Sequence, residues 1–318
     1  MKKIGFVWLL IGACMLYPIL SIASPFKFSG ALISEPLLTE PDGLTFGPDG
    51  NLYISEFSNG EVRRFNPSTG ELIDVFVSSG SGGLDGAVEL TFGPDGNLYV
   101  ASAFTDEVLR YNGTTGAFID VFASGGGIDN PAGIVFGPDG NLYVTGFNSD
   151  NVLRYDGATG SFMDDFVSTG SGGLDQATAL IFSGTDLLVT SFGTDSILRY
   201  DGGSGAFMDT FASGGGLDGP NYLITGPDLN LYVSSYGTDE VKRYSGIDGA
   251  FIDTVVTSGS GGLDAPQDMA FINGNFCVVA GDPGLLCYSV AEPSSIVLFG
   301  IGALGLLGHT LRRKKQVL

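Results

Sequence analysis

The chain has 318 residues, of which 43% are hydrophobic, and this content favours a folded chain. Its 51 glycines show no strict Gly-X-Y period, which excludes a collagen-like helix. The formal net charge is −21, and residues 24–290 carry 8 basic against 34 acidic side chains. Because such a surface repels phosphate backbones, we expect no nucleic-acid partner, whereas it is compatible with attraction of cations such as Ca²⁺.

The N-terminus has the pattern of an export signal. Two lysines precede the apolar run Ile4–Leu20, and the small residues Ser21 and Ala23 stand at a suitable cleavage position. We therefore predict a secretory signal peptide over residues 1–23. The alternative is a lipoprotein processing site at Cys14, which the apolar run disfavours because it continues well past that residue.

The stretch FGPDGNLYV at 92–100 belongs to a repeat. Taking its first residue as a marker, the copies begin at 46, 92, 136, 182, 225 and 271. Each unit contains four short apolar or alternating runs, such as ELTF, NLYVAS, EVLRY and AFIDVF within 89–122. Runs of this kind separated by Gly, Asp and Asn predict strands joined by turns. Four strands in about 45 residues predict one propeller blade.

The sixth unit ends without a fourth strand. The missing strand is supplied by Ser29–Ser34 (SGALIS), which matches TGAFID at 115–120 and precedes the first marker. We predict that this N-terminal strand completes the last blade and so hides its edges. The predicted fold is an all-β, six-bladed β-propeller of four-stranded blades over residues 24–290.

Two cysteines fall on adjacent predicted strands of the last blade. In an oxidising compartment Cys277 and Cys287 would form a disulfide across the GDPG turn. A register shifted by one residue would place them on opposite faces of the sheet. The sequence leaves both alternatives open.

The C-terminal region, AEPSSIVLFGIGALGLLGHTLRRKK, has the pattern of a membrane segment. Ile296–Leu311 contains 16 residues without a formal charge, and basic residues follow at once. We predict a single transmembrane helix, with the last few residues cytoplasmic and the propeller exported through the inner membrane.

This region resembles the PEP-CTERM sorting signal of Gram-negative bacteria, which combines a Pro-Glu-Pro motif, a Gly-rich apolar helix and an Arg-rich end. Glu292 and Pro293 match the motif, while Ala291 stands where the family usually has proline. The resemblance implies that residues 291–318 are recognised by an exosortase-type sorting enzyme, removed, and that the protein reaches the cell surface or extracellular matrix. The alternative is a plain membrane anchor.

The repeat unit, P-x-G-hydrophobic followed by PDGNLYV and a V-x-R-Y strand, resembles the NHL-repeat propellers over roughly residues 28–290. The six-bladed count also places it near the gluconolactonase-like and streptogramin-lyase-like propellers. This resemblance implies the fold more than a function, because many chemistries use the scaffold. The streptogramin-lyase type needs a histidine near the channel, and the sole histidine here is His309, in the sorting region. We therefore do not expect that activity.

Gluconolactonase-like enzymes bind a divalent ion with Glu, Asn and Asp side chains at the start of the innermost strands. The matching column contains Asp42, Val88, Ala132, Thr178, Asn221 and Gln267. Asp42, Asn221, Gln267 and the neighbouring Glu89 form the candidate metal set, with Asp268 and Glu56 as further oxygen donors and Ca²⁺ as the ion. Such an ion would polarise a lactone carbonyl and activate water. The column nevertheless lacks the glutamate expected in that family.

A second candidate surface is aromatic. One position after the second strand of the blade is occupied by Phe57, Phe147, Phe192 and Tyr236. Rings around a channel mouth stack on sugars or hold a peptide, and the alternative is packing between blades.

The sequence contains a regular ring of blades, an export signal at each end and no catalytic constellation. We therefore predict a non-catalytic binding or scaffolding protein of the cell surface or matrix, with a polysaccharide or a protein as partner and no required cofactor. The alternative is a metal-dependent lactonase or esterase that uses the channel mouth. A third possibility is a structural matrix component without a specific ligand.

Overall fold

The computed structural model describes residues 26–34, 37–281 and 284–289. These residues form six antiparallel sheets of four strands each. The innermost strand of every sheet contacts the innermost strands of the two neighbouring sheets, so the sheets close into a ring. The prediction of a six-bladed propeller with four-stranded blades is confirmed.

The strands follow the chain in the order of the repeats. The N-terminal strand is β1 (Lys27–Ile33). Blade 1 contains β2 (Pro41–Phe46), β3 (Leu52–Glu56), β4 (Glu61–Phe65) and β5 (Leu72–Val77). Blade 2 contains β6 (Ala87–Phe92), β7 (Leu98–Ser102), β8 (Glu107–Tyr111) and β9 (Phe118–Ser124). Blade 3 contains β10 (Pro131–Phe136), β11 (Leu142–Gly146), β12 (Asn151–Tyr155) and β13 (Phe162–Val167).

The remaining blades repeat this order, with one exception at the end. Blade 4 contains β14 (Ala177–Ser183), β15 (Asp186–Ser191), β16 (Ser196–Asp201) and β17 (Phe207–Ser213). Blade 5 contains β18 (Pro220–Thr225), β19 (Leu231–Ser235), β20 (Glu240–Tyr244) and β21 (Phe251–Val256). Blade 6 contains β22 (Met269–Ile272), β23 (Asn275–Ala280), β24 (Gly284–Ser289) and, as its outer strand, β1. Short 3₁₀ turns lie at Ser81–Gly83, Ser171–Gly173, Phe192–Thr194, Tyr236–Thr238 and Ser260–Gly262.

The ring is closed by the N-terminal strand, as the sequence predicts. β1 pairs antiparallel with β24, so that Lys27 lies opposite Ser289 and Ala31 opposite Leu286. The Phe26 N–H also donates to the Val255 carbonyl oxygen at 3.0 Å, which connects this strand to blade 5. The first and last strands of the propeller therefore hold each other in place.

The repeated Phe and Tyr of FGPDGNLY form the packing between blades. Tyr99 is 1% exposed, and its ring contacts Phe122 of its own blade at 4.8 Å and Phe136 of the next blade at 5.0 Å, both edge to face. The Tyr99 hydroxyl donates to Asp95 in its own turn at 3.0 Å, so the buried phenol keeps a polar partner. The marker phenylalanine of one blade thus packs on the tyrosine of the blade before it.

Cross-strand ion pairs join the third strand of a blade to its outer strand. Arg110 Nε lies 3.0 Å from Asp120 Oδ1, and its guanidinium stacks 4.9 Å from the Phe122 ring. The same pair recurs at Arg154–Asp164, Arg199–Asp209 and Arg243–Asp253. Because the Asp120 side chain is 44% exposed, each such pair contributes at most about 1 kcal/mol.

Gly-rich loops join the outer strand of one blade to the inner strand of the next. The carbonyl oxygen of Ser81 accepts a hydrogen bond from the Tyr111 hydroxyl at 2.7 Å. Gly82 has φ +68°, and a Cβ there would lie 2.1 Å from the Phe118 ring. A glycine is therefore required where the loop passes beneath an aromatic ring of the following blade.

Cys277 and Cys287 lie directly opposite each other on β23 and β24, with their Cα atoms 4.1 Å apart, and they are joined by a disulfide. Both sulfur atoms are therefore on one face of blade 6, which is the in-register alternative of the two that the sequence leaves open.

In the part of the chain that the structure describes, no helix has the length and apolarity needed to span a bilayer. The predicted signal peptide, the sorting motif with Glu292 and Pro293, and the predicted transmembrane helix lie outside the described residues.

Candidate ligand site at the channel mouth

The starts of the innermost strands surround one mouth of the central channel. A cavity of about 210 Å³ is lined there by Asp42, Val88, Ala132, Thr178 and Asn221, together with Phe57, Asn130, Phe147 and Tyr222. A second cavity, of about 430 Å³, shares Asp42 and Phe57 with the first and is lined further by Gln267, Glu40 and Tyr236. The column that the sequence analysis singled out thus lies at the mouth, and its polar members belong to blades 1, 4, 5 and 6.

The residues one place further along the innermost strands comprise three small residues and three larger polar ones. They are Gly43, Glu89, Gly133, Ala179, Tyr222 and Asp268. A Cβ at Gly133 would approach the Thr178 carbonyl oxygen to 2.5 Å, so the neighbouring strand leaves no room for a side chain there. The three larger polar side chains line the channel together with Gly133 and Ala179.

These side chains meet across the channel. The Tyr222 hydroxyl on blade 5 donates to Asp42 Oδ1 on blade 1 at 2.5 Å. Asp268 Oδ2 accepts from the Leu44 N–H at 2.9 Å, and its Oδ1 accepts from the Met269 N–H at 2.6 Å. Asp268 therefore connects blade 6 to blade 1 at the seam of the ring, while Tyr222 connects blade 5 to blade 1, which are not neighbours in the ring.

Burial determines the protonation of this cluster. Burial raises the pKa of Asp42 to about 6, although the Tyr222 hydrogen bond acts to lower it. Burial, opposed by the Leu44 and Met269 N–H groups, raises the pKa of Asp268 to about 7. The pKa of Glu89 lies well above its usual value because of burial and, next, the charges of Asp268 and Asp42. Asp42 and Asp268 therefore bind protons close to neutral pH, and Glu89 stays protonated to a higher pH than a solvent-exposed glutamate.

The candidate metal set is divided between two levels of the channel. At the mouth the Asn221 amide donates to Gln267 Oε1, and Asp42 is bound by Tyr222. Glu89 lies deeper, in a cavity of about 290 Å³ that it shares with Tyr222 and Asp268. Among residues 26–34, 37–281 and 284–289, no three His, Cys, Asp or Glu side chains are arranged to hold a metal ion. The Ca²⁺ site stays a prediction.

Glu56 is the last residue of β3, and its carboxylate binds the loop that precedes β2. Its side chain is fully buried and accepts hydrogen bonds from the Thr39 N–H at 3.0 Å and the Glu40 N–H at 3.4 Å. Burial raises its pKa, and those N–H groups act to lower it. The carboxylate therefore fixes the entry to blade 1 instead of supplying an oxygen at the mouth.

The predicted rim aromatics form an arc around the mouth. Phe147 lies 6.2 Å from Phe192, and Phe192 lies 6.0 Å from Tyr236, measured between ring centroids. Phe57 contacts Phe104 of blade 2 at 5.2 Å. We call these five rings the aromatic arc. Phe104 is 60% exposed and Tyr236 is 39% exposed, so the arc faces solvent as well as its neighbouring rings.

Two residues of this site, Phe104 and Tyr222, were not predicted from the sequence. Phe104 stands one residue later than the other rim aromatics because Ala103 occupies their column. A search for any aromatic within one residue of the end of the second strand would have found it. Tyr222 was detectable as a large residue in a column otherwise shared by glycine, alanine and acidic residues.

Blade 6 interrupts the arc. Gly281 occupies the position of Tyr236, and the cavity of about 430 Å³ opens at this gap beside Gln267 and Glu40. The mouth thus combines exposed ring faces with amide and carboxyl groups. Rings of this kind stack on apolar faces of a ligand, while the amides and carboxyls exchange hydrogen bonds with hydroxyl groups.

No family model matches the chain, and no curated protein does either. Solved structures do match it. A gluconolactonase from Xanthomonas campestris has a TM-score of 0.66 at 15% identity, covering 84% of this chain and 95% of that one. A catalytically inactive histidine variant of virginiamycin B lyase from Staphylococcus aureus, with quinupristin, has a TM-score of 0.60 at 17% identity, covering 85% of this chain and 90% of that one. At these identities the likeness shows the fold alone: this chain is a six-bladed β-propeller similar to those of gluconolactonase and virginiamycin B lyase.

Proposed function

We propose that this protein is a non-catalytic binding protein whose channel mouth holds a neutral oligosaccharide segment of a polysaccharide. The observation that carries the proposal is the aromatic arc, which surrounds a mouth lined by Asn130, Asn221 and Gln267. Sugars present an apolar C–H face to aromatic rings and hydroxyl groups to amides. The strongly acidic surface disfavours an anionic glycan.

The polar groups at the mouth support binding over catalysis. Asn221 and Gln267 are hydrogen-bonded to each other, and Asp42 is engaged by Tyr222. A catalytic nucleophile is instead expected to be activated by a neighbouring general base, and both groups are expected to face the open space where a substrate binds. These pairs fix the shape of the mouth before a ligand arrives.

Export places this mouth outside the cell. The predicted signal peptide and the predicted membrane segment support translocation through the inner membrane and initial anchoring there. The PEP-CTERM-like region supports an exosortase-type enzyme as the processing partner. The cell surface or extracellular matrix, where polysaccharides are abundant, is the location that we propose.

The test uses the full-length chain in lipid nanodiscs and isothermal calorimetry with cellohexaose and maltohexaose. We expect saturable binding of at least one of them, and a loss of affinity of about tenfold or more when Phe57→Ala and Phe147→Ala are combined. Ile119→Ala, an exposed residue on the outer strand of blade 2, is the matched control and leaves the affinity unchanged. Equal affinity in all three proteins, or no saturable binding, would contradict the proposal.

A second candidate function is hydrolysis of a lactone or ester. The observation that favours it is the channel cluster of Asp42, Glu89 and Asp268, because pKa values of about 6 and about 7 lie in the range of general acids and bases. Turnover of δ-gluconolactone that disappears in Asp42→Asn and in Asp268→Asn would favour this function. Dependence of that turnover on added Ca²⁺ would favour its metal-dependent form.

A further inference from the structure

Two large apolar side chains stand out from the surface of the propeller. Ile247 is 90% exposed and Leu229 is 76% exposed, more than any other large hydrophobic residue in the described part of the chain. Both belong to turns of blade 5. Leu229 lies in the turn between β18 and β19, and Ile247 lies in the turn between β20 and β21.

These residues depart from the repeat. The position of Leu229 is occupied by Gly50, Gly96 and Gly140 in blades 1 to 3, and Leu229 keeps their left-handed backbone at φ +62°. A leucine is strained in that conformation, where glycine is not. The position of Ile247 is occupied elsewhere by Ser68, Thr114, Ala158 and Gly203. Blade 5 thus has a large apolar residue at both turns, where the corresponding positions of the blades compared have glycine, alanine or a hydroxyl residue.

The two turns are in contact. A Cβ at Gly246, the residue before Ile247, would lie 1.9 Å from the Leu229 carbonyl oxygen. The Asp228 carboxylate beside them is paired with Arg243 at 3.1 Å, so the nearest acidic group already has a counter-charge. We call Leu229 and Ile247 the blade 5 apolar tip.

The chain leaves the propeller on the same face. Ser289, the last described residue, pairs with Asn275, the first residue of β23. Asn275 holds in blade 6 the position that Asn230, next to Leu229, holds in blade 5. The exit point therefore lies at the level of the turn that carries Leu229, one blade away. The channel mouth with the aromatic arc is at the opposite ends of the strands.

The distance from this exit to the predicted membrane segment is short. Six residues, 290–295, separate Ser289 from the apolar run Ile296–Leu311. At ~3.3 Å per residue they span at most ~20 Å, so an inserted segment keeps this face of the propeller close to the bilayer. A partner other than lipid would have to share that narrow space.

We propose that the blade 5 apolar tip inserts into the lipid interface and orients the propeller with its ligand mouth away from the membrane. This inference rests on the membrane anchoring that the proposed function includes. Exposed Leu and Ile side chains are suited to the boundary between headgroups and acyl chains. Because the propeller is strongly acidic, we expect the contact to favour zwitterionic lipid and to weaken when anionic lipid is added.

The test places a tryptophan at the tip of the full-length chain and uses brominated lipid as a quencher. The background is Trp8→Phe, which removes the chain's one tryptophan. Leu229→Trp, Ile247→Trp and, as a matched control at the opposite face, Phe104→Trp are reconstituted in nanodiscs of brominated phosphatidylcholine. We expect the first two to lose roughly half of their emission or more and the control to keep it. Equal emission from the tip and the control would overturn the proposal.

The outcomes separate this inference from the function on which it rests. If the full-length chain fails to enter nanodiscs, both the predicted anchor and the lipid contact are overturned, whereas oligosaccharide binding in detergent is unaffected. If the chain enters but Leu229→Trp is unquenched, the lipid contact alone is overturned. A concentration-dependent blue shift of an unquenched Leu229→Trp would assign the tip to a contact between copies of the chain.

Leu229→Gly with Ile247→Ser, which restores repeat residues, is expected to fold and to lower affinity for zwitterionic vesicles.

Discussion

At the scale of single residues, the central channel shows how burial sets charge. Asp42, Glu89 and Asp268 come from three blades and face one another with Tyr222 among them. Their pKa values are raised, and so the folded protein binds more protons than the unfolded chain. Asp95, in an outer turn, has its pKa shifted in the opposite direction. There burial is outweighed by hydrogen bonds from Asn97 and Tyr99, which lower the pKa of Asp95.

We predict that Asp42→Asn stabilises the protein at alkaline pH. The wild-type carboxyl is neutral in both states below pH 4, and it becomes charged in the folded state as the pH rises through about 6. Its contribution to stability is therefore present at low pH and lost above pH 6, whereas asparagine does not titrate. Because Asp42 is half-buried, we expect the variant to be more stable by about 1–2 kcal/mol at pH 8. Denaturant unfolding across pH 4–8 measures this difference.

The matched control is Asp95→Asn, whose effect on stability has the opposite sign. The lowered pKa of Asp95 means that its contribution is present above pH 4 and is lost on acidification. If Asp42→Asn and Asp95→Asn changed stability in the same direction at pH 8, the account of the channel carboxyls would be wrong.

A second prediction at this scale concerns Leu229. Because its backbone is left-handed, Leu229→Gly relieves strain and is expected to raise the free energy of unfolding by about 1 kcal/mol. Thermal unfolding of the variant in detergent measures the gain. A loss of stability would mean that the leucine side chain contributes packing within blade 5, and that its exposure is not the reason for its presence.

At the scale of elements, the repeat explains why the fold was predictable. The marker phenylalanine and the tyrosine of FGPDGNLY occupy the interface between blades, and the Pro-Asp-Gly turn between them sets the hairpin. The same Phe–Tyr contact recurs at Tyr53, Tyr143 and Tyr232, so the sequence repeats the residues that form it. The closing strand β1 was equally visible, because blade 6 lacks an outer strand in its own repeat.

The site was less predictable, because it consists of departures from that repeat. Phe104 is displaced by one residue from its column, and Tyr222 forms its hydrogen bond with a residue 180 positions away in sequence. Neither fact follows from a local period. Whether Cys277 and Cys287 lie on the same face of the sheet depends on the register of one hairpin. The pattern of residues does not determine this register.

For this hairpin we predict that Cys277→Ala with Cys287→Ala lowers the free energy of unfolding by about 2–3 kcal/mol, since the disulfide closes a short loop in the unfolded chain. Denaturant unfolding with and without dithiothreitol provides the measurement. Reductant should destabilise the wild type to the level of the double variant and leave the double variant unchanged. A wild type indifferent to reductant would contradict a stabilising role of the disulfide.

At the scale of the whole molecule, the two faces of the propeller differ in what they present. One face carries the aromatic arc and the amides, and the other carries the paired turns and the exit of the chain. Among the described residues, blade 6 is the only blade without an aromatic ring at the rim, so the mouth is open on the side of Gly281. A ligand that enters along this gap reaches both cavities beside Asp42 and Phe57.

This geometry predicts the effect of closing the gap. A Cβ at Gly281 meets only the Ala265 side chain at 3.9 Å, which is ordinary contact, so Gly281→Phe is expected to fold. The added ring would fill the cavity of about 430 Å³ and weaken oligosaccharide binding by about tenfold. Gly281→Ala is the control, and calorimetry measures both. Binding that is stronger with Gly281→Phe would mean that the ligand lies over the rim instead of within the gap.

The measurement that tests the central proposal most directly is saturation-transfer NMR on the full-length chain in nanodiscs, with aromatic protons irradiated and cellohexaose as the probe. The account predicts transfer to the sugar C–H protons, strongly reduced when Phe57→Ala and Phe147→Ala are combined and unchanged in Ile119→Ala. Transfer that is equal in all three proteins, or absent from the wild type at saturating sugar, would contradict a ligand site at the aromatic arc.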